Sequence, residues 1–188
     1  MTIKSELEPL FNPKVVACVG ASRDPISVSG FVLRNIIDGG FEGRLYLVNP
    51  NAIGKILGLE TVAKVNKIPE AVDCAVLTLP ARYVPETMEE CVSQNVKTAV
   101  IISAGFSEVD ESGFGLEHEV IRIARKGKLR FTGPNCNGVY SATSSFSALL
   151  GPVRPLRGDI AFVSQGGSPG VIVHGLTHRR RRGLSKFV

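Results

Sequence analysis

Short runs of β-branched and other apolar residues alternate along this chain with longer segments in which apolar residues recur every three or four positions. Lys14–Val19, Arg44–Val48, Asp73–Leu79, Thr98–Ile102 and Leu129–Thr132 have the length and composition of strands. After the first, Val28, Phe31, Val32 and Ile36 stand at i, i+3, i+4 and i+8, one face of a helix with Ser27 as its N-cap and Gly39-Gly40 as its stop. Val84, Met88, Cys91 and Val92 form a second stripe within Val84–Gln94. A third helix is predicted over Leu116–Lys126, where Glu117 and Glu119 come early and Arg122, Arg125 and Lys126 late, as the helix dipole favours, with Gly127 closing it. Strand and helix in strict alternation predict an α/β fold, with parallel strands joined by crossover helices. Ile56–Ala71 mixes both signals and supports no assignment.

Beyond Tyr140 the rhythm changes. The stretch to Pro155 is rich in Ser, Gly and Pro without a period and reads as a surface linker. A strand at Asp159–Val163, a loop at Ser164–Ser168, a helix from Pro169 to about Arg182 and a strand at Ser185–Val188 follow. One such unit, about 30 residues long, cannot bury a core of its own. It must dock on the first domain, pair with another chain, or open a second domain. The expected division is a first domain over 1–140, a linker over 141–158 and an incomplete start of a second α/β domain over 159–188.

Composition narrows the function classes. Of the 188 residues, 44% are hydrophobic and 21% charged, as in ordinary globular domains. No apolar run approaches the roughly 18–20 residues that span a bilayer, and the acidic start lacks the apolar stretch of a secretory signal. A cytoplasmic location without a membrane partner is expected. Cys18, Cys74, Cys91 and Cys136 are widely spaced with no CxxC pair, so neither a disulfide nor a metal site is expected. The net charge of +5 comes from 22 basic and 17 acidic residues; without Arg179–Arg182 the balance is 18 to 17. A basic surplus held in one tetrapeptide, with no aromatic interleaving, does not predict a nucleic-acid partner.

The unusual residues gather where parallel sheets bind ligands, beyond the carboxyl ends of the strands. Gly20-Ala21-Ser22-Arg23 is a small-residue loop whose backbone N–H groups can approach a phosphate, although a plain strand-to-helix turn would have the same composition. It lacks the GxGxxG spacing of a dinucleotide loop, and Asn49-Pro50-Asn51 stands where an NAD site places an acid for the ribose hydroxyls. A phosphorylated ribose would be repelled by an acid there and welcomed by Arg23 or Lys55, which favours coenzyme A or NADP over NAD. Leu79-Pro80-Ala81, Ser103-Ala104-Gly105-Phe106 and Pro134-Asn135-Cys136 leave a shallow channel in which Ser103, Asn135 and backbone amides can hold a pantetheine arm. No His neighbours Cys136 in sequence, so it reads as a structural or channel-wall residue rather than a nucleophile.

Six stretches, in order, carry a family resemblance: Leu10-Phe11-Asn12-Pro13, Val19-Gly20-Ala21-Ser22-Arg23-Asp24-Pro25, Leu47-Val48-Asn49-Pro50, Ile102-Ser103-Ala104-Gly105-Phe106-Ser107-Glu108, Gly133-Pro134-Asn135-Cys136-Asn137-Gly138 and Ile160-Ala161-Phe162-Val163-Ser164-Gln165. Together they resemble the CoA-binding domain of ADP-forming acyl-CoA synthetases and the succinyl-CoA synthetase alpha subunit. The resemblance implies a Rossmann-type doubly wound parallel sheet, followed by the start of a flavodoxin-like second domain. It implies that Gly20, Ser22 and Arg23 hold the phosphates of CoA or acyl-CoA, that Pro80, Ser103, Gly105 and Phe106 flank adenine and pantetheine, and that Asn135 and Cys136 lie near the thiol. Ser164-Gln165-Gly166-Gly167 would be the phosphate loop of the second domain. The family converts acid, CoA and ATP to acyl-CoA, ADP and phosphate, so an ATP-grasp domain or beta subunit and the rest of the second domain are implied partners. Its phosphorylated histidine lies beyond Val188; His118, His174 and His178 lack the surroundings of that residue, and no catalytic residue is assigned. Asn51 replaces the family's usual lysine, leaving Lys55 as the candidate cation, and Gly166 replaces a serine of the phosphate loop. A stand-alone CoA-binding or CoA-sensing module and an NADP-dependent oxidoreductase are the competing readings.

Overall fold

A computed structural model describes residues 3–51, 54–152 and 154–188. Six strands, β1 (Val15–Val19), β2 (Arg44–Val48), β4 (Leu59–Val62), β5 (Cys74–Leu77), β6 (Thr98–Ile101) and β7 (Arg130–Thr132), run parallel in a seven-stranded sheet of order β3-β4-β2-β1-β5-β6-β7, with the short β3 (Lys55–Ile56) antiparallel at its edge. Successive β1 side chains face opposite ways. Val15, Ala17 and Val19 join the core under α3 (Val84–Ser93) and α4 (Glu111–Gly127), while Val16 and Cys18 join the core under α1 (Ile3–Phe11) and α2 (Val28–Asp38). Burial on both faces explains why β1, β5 and, after Thr98, β6 are apolar throughout rather than alternating. The doubly wound α/β fold is thus in place.

The predicted caps of α2 hold. Ser27 Oγ accepts a hydrogen bond from the Gly30 N–H at 3.1 Å, and Gly39 ends α2. α4 begins earlier than its apolar stripe, because Asp110 caps it through the Gly113 N–H at 3.0 Å. It closes at Lys128 in the left-handed conformation rather than at Gly127, whose missing Cβ makes room for Val92.

The ambiguous segment Ile56–Ala71 resolves into β3 (Lys55–Ile56), a tight turn, β4 (Leu59–Val62) parallel to β2, and a single 3-10 turn at Val65–Lys67. The turn places both Leu57 and Gly58 at positive φ, as a type I′ hairpin requires. Leucine is a poor advertisement for that conformation, which hid the hairpin.

The stretch expected to be a surface linker, 141–158, departs most from its sequence. β8 (Gly138–Ser141) and β9 (Phe146–Leu149) form a buried hairpin, and β9 packs against α2, where the Asn35 amide donates to the carbonyls of Leu149 (2.9 Å) and Gly151 (2.7 Å). The apolar residues of Ser141–Leu150, namely Ala142, Phe146, Ala148, Leu149 and Leu150, are scattered among serines at no regular spacing and show no period. The final unit, β10 (Arg157–Phe162), α5 (Gly167–Arg179) and β11 (Leu184–Phe187), joins the same hairpin: β11 pairs antiparallel with β8, giving a second sheet of order β10-β11-β8-β9. Docking on the preceding hairpin supplies the core that the tail lacks by itself.

Candidate functional site

The chain leaves β1 for α2 on one face and β5 for α3 on the other, so a crevice opens between the carboxyl ends of the two strands. A cavity of about 580 Å³ occupies it, bordered by Gly20, Asn49, Pro50, Thr78, Pro80 and Tyr83. Gly20 makes the crossing possible. Its φ is +90°, and a Cβ there would stand 2.9 Å from Leu79 N and 3.0 Å from the Thr78 carbonyl carbon. Ser22 Oγ accepts from the Asp24 N–H at 3.1 Å and Asp24 accepts from the Ile26 N–H at 3.0 Å, shaping the turn into α2.

Asn49 does more than leave out an acid. Its Nδ2 donates to the Ala21 carbonyl at 2.8 Å while its Oδ1 accepts from the Asn51 N–H at 2.8 Å, tying the end of β2 to the small-residue loop after β1. A carboxylate cannot make the first of these bonds. Arg23 reaches the β3 hairpin, where its Nε donates to the Lys55 carbonyl at 3.5 Å, and the Lys55 ammonium pairs with Glu60 at 3.3 Å. Both cations thus meet beside the Gly20–Arg23 loop, although neither borders the crevice cavity itself.

The loop after β6 leads away from this crevice. Ser103 is buried, with its N–H and hydroxyl both directed at the Leu77 carbonyl (3.3 and 3.4 Å), and its own carbonyl accepts from the Asn135 N–H at 2.9 Å. Its hydroxyl is therefore spent on the backbone. Gly105, at φ +106°, packs beside Ala81. Phe106 does not present its ring to a ligand: the side chain is fully buried in the α3–α4 core, and Gly113 of α4 sits directly on its carbonyl. Ala104 and Ser107 on either side of it are exposed. Sequence reading missed the residue that holds this loop, Glu108, whose carboxylate accepts from the N–H groups of Gly105 (2.6 Å) and Phe106 (3.1 Å). Partial burial works against its charge, but those backbone donors win and keep its carboxyl below the usual range. An acid three residues after a strand-end glycine was the available signal.

A second cavity, of about 510 Å³, lies where that loop meets the tail, and it brings Asn135 and Cys136 together with Ser164, Gln165, Gly166 and Gly167. Gly166 is the N-cap of α5, and the Gly166 N–H donates to Ser164 Oγ at 3.2 Å. Free N–H groups at the start of a 13-residue helix favour an anion here. The Asn137 amide nitrogen, also at this cavity, is buried without a hydrogen-bond partner. The Cys136 thiol donates to the Ile101 carbonyl at 3.3 Å, and burial pushes its pKa up to about 11, so it is a neutral wall residue at pH 7. A larger cavity of about 810 Å³ lies at the amino ends of β6 and β7, against Lys97 and Arg130, at the opposite end of the sheet from the loops that follow β1, β5 and β6.

Neither of the two cavities at the strand carboxyl ends is lined by a described histidine. His118 packs on Phe114 with ring centroids 4.3 Å apart, and His174 is buried edge-on to Phe187, where burial lowers its pKa. Among the described residues no group of His, Cys, Asp and Glu is arranged to hold a metal ion, and no helix is long and apolar enough to cross a membrane.

A doubly wound sheet whose small-residue loops converge on a switch-point crevice is a Rossmann-type nucleotide-binding unit. Within that class the chain belongs to the CoA-binding domain family, whose sequence model matches residues 14–142. It is 39% identical to the alpha subunit of the ADP-forming acetate–CoA ligase I of Pyrococcus furiosus over 186 residues, which is 97% of this chain and 40% of that one. It is 40% identical over 182 residues to the ADP-forming acetate–CoA ligase I of Archaeoglobus fulgidus, covering 97% of this chain and 26% of that protein. Among solved structures, the acetyl-coenzyme A synthetase 1 of Candidatus Korarchaeum cryptofilum superposes with a TM-score of 0.90 at 39% identity, over 97% of this chain and 39% of that one. The chain therefore spans about two fifths or less of the length of these relatives.

Proposed function

We propose that this chain binds coenzyme A or an acyl-CoA, with the adenosine part in the switch-point crevice and the pantetheine arm following the loop after β6 toward Cys136. In this reading it is the CoA-binding portion of a cytoplasmic ADP-forming acyl-CoA synthetase, which converts acid, CoA and ATP to acyl-CoA, ADP and phosphate. Catalysis then needs an ATP-grasp domain or beta subunit and the remainder of the second domain, of which residues 159–188 are the beginning. The observation that carries the reading is the pairing of the two cavities: a crevice without a ribose-binding acid, and a second cavity in which Asn135 and Cys136 meet the Ser164–Gly167 loop at the start of α5. The outer face of α5 supports the need for partners. Val171, Ile172 and Leu176 are exposed there, and β10, the outer strand of its sheet, is exposed along nearly its whole length.

Calorimetric titration with CoA, dephospho-CoA and NAD tests the proposal. CoA should bind about tenfold or more tighter than dephospho-CoA, the scale of one charge-assisted phosphate contact, and NAD should bind more weakly still. Preferential NAD binding would overturn the assignment. Acyl-CoA formation by this chain alone would overturn the claim that it is catalytically incomplete.

A further inference from the structure

We infer that Arg82, held against the ring of Tyr83, is the cation that recognises the 3′-phosphate of CoA in this chain, in place of Lys55. The inference rests on the CoA reading and specifies which residue gives it its selectivity. A phosphomonoester carries roughly −1.5 to −2 charges at neutral pH and binds where a guanidinium or ammonium is free to meet it. Among the described residues two cations border the crevice cavity, Lys64 and Arg82. Lys64 is paired with Glu86 at 3.6 Å. The other carboxylate at the cavity, Glu90, accepts from the Asn66 N–H at 3.4 Å. Among the described residues Arg82 makes no ion pair; its guanidinium carbon lies 4.6 Å from the Tyr83 ring centroid.

Stacking of this kind fixes the plane of a guanidinium and leaves its N–H edge able to meet a phosphate. Arg82 also sits in the 3-10 turn Ala81–Tyr83 directly before α3, where the helix dipole adds positive potential. Lys55 has neither advantage. It stands on the β3 hairpin outside the cavity lining, with its ammonium engaged by Glu60. Asn51, where sequence alone leaves a cation wanting, borders the same cavity as Arg82, so the charge enters from the other wall of the crevice.

The test is a calorimetric comparison of the wild-type chain with Arg82→Gln, Lys55→Gln and Tyr83→Leu, each titrated with CoA and with dephospho-CoA. Arg82→Gln should weaken CoA binding by about tenfold or more and leave dephospho-CoA within about twofold, so that the preference collapses. Tyr83→Leu should reduce the preference partway, and Lys55→Gln should leave it intact. Unchanged dephospho-CoA affinity reports that each variant keeps a folded crevice. A preference that survives Arg82→Gln, or one that collapses in Lys55→Gln, overturns the inference while leaving CoA binding standing. A wild-type chain that binds neither ligand refutes the CoA reading itself and takes this inference with it.

Discussion

Replacing Asn49 by Asp exchanges one amide nitrogen for an oxygen and tests why the crevice lacks an acid. In the native chain Nδ2 donates to the Ala21 carbonyl at 2.8 Å, and the other side-chain atom, Oδ1, accepts from the Asn51 N–H at 2.8 Å. Aspartate keeps the second bond and turns the first into a close approach of two acceptors. A lost hydrogen bond of this type is worth about 1 kcal/mol, and a buried carbonyl left unpaired adds about 1 kcal/mol or more, so Asn49→Asp should cost about 2 kcal/mol. The urea midpoint should fall with the slope unchanged.

The same substitution places a negative charge at the crevice. At about 8 Å and an effective dielectric near 20, a unit charge repels each phosphate charge by about 2 kcal/mol before screening, so CoA affinity should drop by about tenfold or more. The pH dependence fixes the cause. The facing carbonyl should raise the new carboxyl above its usual value near 3.9, and the protonated form can donate to Ala21 again. The stability deficit should therefore be full at pH 7 and close as the pH falls through that raised pKa. An Asn49→Asp chain with wild-type urea midpoint and wild-type CoA affinity would refute both the brace and the electrostatic argument for the missing acid.

Gly20→Ala should destabilise the chain by about 2–4 kcal/mol, from the positive φ and from overpacking against the backbone of Thr78 and Leu79, as read by urea denaturation; a loss below about 0.5 kcal/mol would contradict the close approach. Cys136 should alkylate hundreds of times more slowly at pH 7 than a free cysteine of pKa about 8.5, accelerating only as the pH approaches its raised value of about 11; rapid labelling mapped to Cys136 by mass spectrometry would show an accessible thiolate. His174 is neutral when folded and its pKa is depressed by burial, so the unfolded chain takes up the proton first. Stability should therefore decline as the pH falls below about 6.5, the unfolded value, and His174→Phe should flatten that decline in pH-dependent melts, whereas an unchanged profile would place the titration elsewhere.

Features set by near neighbours were legible before the fold was known. The Ser27 cap, the helix it starts with Val32 and Ile36 on its buried face, the fully apolar β1 and β5 and the glycine after β1 all follow from contacts a few residues apart or from burial on both faces, although Val28, read into the same stripe, is exposed. The family could be seen in the same way, because its loop residues keep their order along the chain. The side-chain roles could not. Asn49 meets a carbonyl 28 residues away, and Asn35 meets one 114 residues away; neither partner is marked in the local pattern. Phe106 reads as a loop residue, yet α4 folds over it and makes it core. β9 is a strand only because α2 and β8 bury a Ser-rich run too short to declare itself.

Which loops share a cavity is likewise a matter of sheet order, since β1, β2 and β5 become neighbours only through crossovers of the chain. That order separates Lys55 from the crevice and puts Arg82 beside it. Local sequence specifies the elements and their ends through short-range sterics and hydrogen bonding, whereas burial and proximity between distant segments, which assign each side chain to core, brace or ligand wall, exist only once the sheet has assembled.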